Sequence, residues 1–276
     1  MNRRECLTAM GGALGAFGLL ALPAFANSDR NVFPTSAAQG ALVIGKLAKG
    51  CSARYGGRDL RATPYGSVVF GIRRNETDTV SVEITDASGR KQETSIAVTK
   101  RDFPTEYVSG VPPKTVNPPP EIAARIAREQ ARVSAARERD DDRADFAEKF
   151  IWPVRGRISG RFGNQRVYNG KPGSGHSGMD IAVVTGTPIK APASGIVSFA
   201  DPDLYLTGGT VLLDHGHGVS SNFLHLSRID GNVGDRVEQG QVFAAVGSSG
   251  RATGPHLHWG MSWFDVRVDP QLLVHA

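Results

Sequence analysis

After "WPV" at 152–154 the chain is broken by glycine, proline, asparagine, aspartate or serine roughly every eight to twelve residues, and no helical period appears between the breaks. "GTPIKAPASGIVSFA", "GGTVLLDHGHGVSSNFLHL" and "GQVFAAVG" read as strands joined by turns. Residues 149–276 are therefore expected to form one all-β domain. Within it, "GPHLHWG" sets His256 and His258 on either side of one leucine. Side chains alternate across a strand, so both imidazoles face one surface. The pair either shares a metal or divides metal binding from proton transfer.

Upstream, the text from "VFPTSAAQGALVIGKL" to "TVSVEITDASGRKQETSIAVTKRDF" consists of short apolar runs, with strict alternation in "TVSVEI" and "TSIAV". That pattern predicts a small antiparallel β-sandwich over residues 27–112. "GVPPKTVNPPP" marks an extended linker, because proline fixes its own φ and biases its predecessor away from helix. The alanine-rich stretch that follows has Ile122, Ile126, Val133 and Ala136 at helical spacing, so residues 113–148 are a linker with one or two helices. Acidic residues are interleaved with its basic ones, which fits a solvated helix face rather than a polymer-binding arm.

The first 26 residues have a short basic start, a glycine-broken apolar run and Ala24 and Ala26 as an A-x-A-like cleavage site. They read as a signal peptide cut after Ala26, with the product in the periplasm. The apolar run falls short of the ~20 residues of a spanning helix. Arg3 and Arg4 leave a twin-arginine or a general secretory route equally open. Cleavage removes Cys6, so the mature chain keeps only Cys51 and has no internal disulfide. Losing Arg3, Arg4 and Glu5 lowers the formal charge from +5 by one. This mild excess suits an acidic polymer, and no stripe of mixed aromatic and basic residues suggests nucleic acid.

Six of the seven histidines, all but His275, fall in the all-β segment's motifs. "GHSGMDIA" supplies His176 and Asp180, "DHGHG" supplies His215 and His217, and "NFLHLS" supplies His225. A catalytic zinc takes three nitrogen or oxygen ligands and keeps an open position for water. Two histidines and one aspartate meet that count, although spacing alone does not say which. His215 and His217, bounded by glycine, are expected to shape a tight turn that Asp214 helps to hold.

"WPVRGRISGRFG", "GHSGMDIA", "GTPIKAPASGIV", "VLLDHGHGV", "FLHLSRI", "GDRVEQGQVFAAVGSSGRATGPHLHWG" and "VDP", in this order, resemble the lysostaphin-type (LytM-like) zinc peptidases that cut peptide cross-links in bacterial peptidoglycan. The resemblance covers about residues 150–271; a β-rich front domain and helical connection are also similar to exported Gram-negative members. It implies a lysostaphin-like β-sheet fold with a substrate groove and one zinc held by His176, Asp180 and His258. It further implies His225 and His256 as the catalytic histidines, so that the pair in "HLH" divides the labour. Two neutral imidazoles and a carboxylate leave zinc a net positive charge, which acidifies a bound water. His256 is assigned the proton transfer, and His225 the orienting of water or donation to the oxyanion, with the two roles exchangeable.

An extended peptide substrate would lie in a groove across the sheet. The loops 163–175 and 201–209 are its expected walls, with Asn164, Tyr168 and Tyr205 as substrate contacts. The front domain is expected to make a regulatory contact with the groove. Two competing readings are a non-catalytic wall-binding or hydrolase-activating module with a structural zinc, and a metal-dependent β-barrel oxygenase or storage protein. Structural zinc is usually closed by four protein ligands, and the "GHSGMD" and "TGPHLHWG" contexts favour zinc hydrolysis.

Overall fold

The computed structural model describes residues 29–274. The leader read over residues 1–26, with Cys6, Ala24 and Ala26, lies outside the described residues, as does His275. The front segment builds a five-stranded sheet in the order Ser36–Ala38, Lys91–Thr99, Val80–Thr85, Ser52–Tyr55 and Arg58–Leu60, beside a separate pair of strands, Leu42–Lys46 and Ser67–Gly71. The alternation read in "TVSVEI" is realised: Val80, Val82 and Ile84 are buried while Ser81 and Glu83 face solvent. One pairing departs from the antiparallel expectation, since Ser36–Ala38 runs parallel to Lys91–Thr99. Those strands are far apart in sequence, so no hairpin dictates their sense.

Residues 149–274 hold a ten-stranded sheet, as the strand-and-turn pattern implied. Its main path runs Arg236–Val237, Gly195–Leu204, Gly208–Asp214, Val219–Ile229, Leu257–Trp263, Gly178–Ala182 and Arg157–Gly160, every neighbouring pair antiparallel. Leu257, Trp259, Met261 and Trp263 point into the core from one face of their strand. His258, Gly260 and Ser262 belong to the other face. One buried apolar cluster joins both halves of the chain. A β-carbon on Gly71 of the front segment would lie only 2.9 Å from Val268 Cγ1, which shows how closely the halves pack.

The connection does more than link. Thr105–Val108, inside the span read as front domain, adds a parallel strand to the hairpin Gln165–Tyr168 and Lys171–Gly175. A single helix, Pro120–Arg137, starts on Pro119 and Pro120, where a missing N–H costs nothing. Val133 and Ala136, two of the four residues at helical spacing, pack on Phe199, Leu204 and Leu212. Arg132 pairs with Asp201 at 2.9 Å, and the Tyr205 N–H donates to Glu129 at 2.8 Å. Among the described residues, no helix is long and apolar enough to cross a membrane.

Candidate active site

Asp180 and His258 stand directly opposite each other on paired strands, so their side chains leave the same face. His176 precedes the first of these strands and is held by its N–H, which donates to the Asn164 carbonyl at 2.8 Å. The three converge: His176 Nε2 lies 3.1 Å from Asp180 Oδ1 and 3.0 Å from His258 Nδ1, which is 2.9 Å from the same carboxylate oxygen. Glycine makes room for this approach. A β-carbon on Gly178 would sit 2.8 Å from His258 Nε2, and one on Gly160 would sit 2.6 Å from Asp180 Oδ2.

The protonation states suit a cation. His176 Nδ1–H donates to the Arg161 carbonyl at 3.0 Å, which turns its Nε2 toward Asp180 and His258. Burial, with the neighbouring His176 charge, pushes the His258 imidazole down to about 4, against the pull of Asp180. Burial alone would raise the Asp180 carboxyl, but the hydrogen bonds and charges of His176 and His258 outweigh it and hold the group well below the usual range. A metal ion would satisfy all three at once, and two imidazoles with one carboxylate are a donor set that transition metals take. Among the described residues they form the one such group, with ligand atoms within 4.8 Å of one another.

Two further imidazoles border the triad. His225 follows Leu224, which stands opposite His258, and in a regular strand the two would face opposite sides. Instead the register slips between Gly209 and Val211, and His225 takes a left-handed φ of 64°. That bulge turns both residues into one cavity of about 980 Å³, which the triad also lines. His225 Nδ1–H donates to the Ser249 carbonyl at 2.8 Å, and His256 Nδ1–H donates to the Gly254 carbonyl at 2.8 Å. Both rings therefore keep Nε2 as a free lone pair, with ring centroids 4.7 Å apart. Burial, then the charges of His256 and His258, lowers His225 to about 3.

Arg166, on the strand of the hairpin nearest the linker, was not signalled by any motif. Its guanidinium donates to Asp180 Oδ2 at 2.6 Å and pairs with Glu106 of the linker strand at 3.1 Å. Of the three residues read as substrate contacts, Tyr168 lines the cavity beneath the Arg251 guanidinium. Asn164 is buried and donates its amide to Glu106 at 2.7 Å, and Tyr205 is not among the lining residues. Both expected loops do contribute walls, through Arg166 and Tyr168 on one side and Leu204 and Thr207 on the other. The linker strand and helix add more, including Tyr107, Val133 and Arg137. His215 is fully buried, its Nδ1–H donating to the Ser194 carbonyl and its Nε2 accepting from Ser221, in a turn where Gly216, His217 and Gly218 all have positive φ. The Asp214 carboxylate there binds the Arg143 guanidinium.

Residues 174–270 match the model of Peptidase family M23. A crystal structure of a putative M23 peptidase from Pseudomonas aeruginosa is 31% identical, with a TM-score of 0.68 over 92% of this chain and 98% of that one. Cell division protein DipM of Caulobacter vibrioides is 28% identical over 218 residues, 74% of this chain. Peptidoglycan DD-endopeptidase ShyA of Vibrio cholerae is 36% identical over 104 residues, 37% of this chain. The chain spans 34% of DipM's length and 24% of ShyA's.

Proposed function

Because the chain belongs to peptidase family M23, we propose that it is a zinc-dependent endopeptidase that hydrolyses peptide cross-links of bacterial peptidoglycan. The observation that carries this reading is a three-donor cluster bordered by two imidazoles with free Nε2 atoms, all on one cavity. His176, Asp180 and His258 would hold one zinc, which would supply Lewis acidity and make water more acidic. Arg161 and Arg166 set the ligands: the Arg161 carbonyl fixes the His176 tautomer, and the Arg166 guanidinium occupies the second oxygen of Asp180.

His256 takes a proton at Nε2 and returns it to the leaving amine, because its Nδ1–H is already committed to Gly254. His225 orients the attacking water by accepting at Nε2. Donation to an oxyanion would need a proton that its burial disfavours. A non-catalytic module with structural zinc fits less well, since structural sites are usually closed by four protein ligands and this cluster offers three, on an open cavity. Tyr168 contacts the peptide, and the helix Pro120–Arg137 with the Thr105–Val108 strand narrows its path as a regulatory wall.

We also propose export to the periplasm after cleavage of the leader, with N-terminal sequencing of the exported form starting at Asn27. Digestion of purified peptidoglycan, with the released peptides identified by mass spectrometry, tests the activity and shows which bond is cut. Intact peptidoglycan after incubation with zinc-loaded protein would refute it.

A further inference from the structure

The cavity contains more positive charge than the metal site and its neighbours use. Its wall carboxylates are engaged: Glu106 with Arg166, Glu129 with Arg125 at 2.6 Å, and Asp180 with the histidines. Arg137 and Arg267, which line the same cavity, have no carboxylate within ion-pair distance among the described residues. Arg137, on the last turn of the helix, is only 9% exposed, and its Nε has no hydrogen-bond partner. Burial and the nearby charge of Arg267 push it down to about 9. Arg267 is lowered as well, by burial that Asp265 only partly offsets, and Asp265 itself is paired with Arg73 at 3.1 Å.

Two like charges that line one cavity without a carboxylate partner are costly to bury, and an anion bound between them offsets that cost. The register places such an anion in the peptide's path. Arg267 stands opposite Ser262, and Ser262 lies on the same strand face as the metal ligand His258. Ser262 is four steps along the strand from His258, about 13 Å at the usual rise, or the reach of a few residues of extended peptide. Guanidinium forks match a carboxylate in pairs of parallel hydrogen bonds.

We propose that Arg137 and Arg267 form a carboxylate-binding subsite of the groove, which grips a free carboxylate of the peptide a few residues from the bond to be cut. This rests on the peptidase reading for the identity of the ligand. The subsite is assembled only when the helix is docked, so the same helix that narrows the groove also selects what enters it.

The test uses the full chain and two probes: a cross-linked peptide dimer prepared from peptidoglycan, and the same dimer with its carboxylates converted to amides. Affinities are measured by titration calorimetry with metal chelated, so that nothing is turned over. The free acid should bind at least about tenfold more tightly than the amide, the scale of a charge-assisted hydrogen bond. Arg267→Gln and Arg137→Gln, on different elements, should each bring the free acid down to the affinity of the amide, while Arg267→Lys keeps part of the preference. Equal binding of the two probes by the parent, binding of neither, or full preference retained in both glutamine variants overturns the proposal. Hydrolysis is scored separately with zinc: a preference in binding without cleavage leaves the subsite standing and removes the peptidase reading.

Discussion

Replacing each member of the "HLH" pair by alanine separates ligand from proton carrier. His258 Nδ1 is one of three donor atoms lying 2.9 to 3.1 Å apart. Four-ligand zinc sites bind with about 10–16 kcal/mol, or roughly 3–4 kcal/mol per ligand, so His258→Ala should weaken zinc by about 10² to 10³. At a free zinc concentration 1,000 times the parental Kd, binding stabilises the parent by about 4 kcal/mol. The same concentration should stabilise His258→Ala by only about 0.4–1.4 kcal/mol. His256→Ala removes a ring outside the donor cluster, so it should keep the full zinc-linked stabilisation yet lose about 10² to 10⁴ in rate. Urea unfolding of each variant with zinc and with chelator gives the linked term, and any packing loss common to both conditions cancels. If His256→Ala loses that term as completely as His258→Ala, both are ligands and proton transfer passes to His225.

Arg166→Gln leaves Asp180 Oδ2 without its charged donor and should weaken zinc binding about 10- to 100-fold, read by competition with a chromogenic chelator. His215 is depressed to about 4 by burial, so between pH 6.5 and 4 the unfolded chain binds a proton that the folded chain refuses, and stability falls as pH drops. Metal-free parent should lose about 2 kcal/mol more than His215→Gln between pH 7.5 and 5, and parallel urea-denaturation profiles would contradict the assignment. Val133→Asp puts a charge against Phe199, Leu204 and Leu212 and should undock the helix, speeding digestion of intact peptidoglycan several-fold. Slower or unchanged digestion would make the helix a structural wall rather than a restraint.

The residues that the sequence already placed are those governed by local rules. Period-two alternation put Val80, Val82 and Ile84 inside and paired His256 with His258 on one face, because strand geometry repeats whatever the partner strand is. Glycines in "DHGHG" announced the turn that buries His215, because only certain backbones reach positive φ. What the tertiary structure decided depends on chain segments meeting from far apart. His225 enters the cavity only because a register slip against Gly208–Asp214 turns its backbone, and no spacing in "NFLHLS" encodes a neighbour's register. Thr105–Val108 reads as the end of a front domain, yet its open edge finds Gln165–Tyr168, which brings Glu106 to Arg166 and Arg166 to Asp180. Arg137 and Arg267 sit 130 positions apart and look like ordinary surface arginines in the text. They share a cavity because helix docking and sheet register are cooperative packing outcomes, set by long-range burial that a local pattern cannot express.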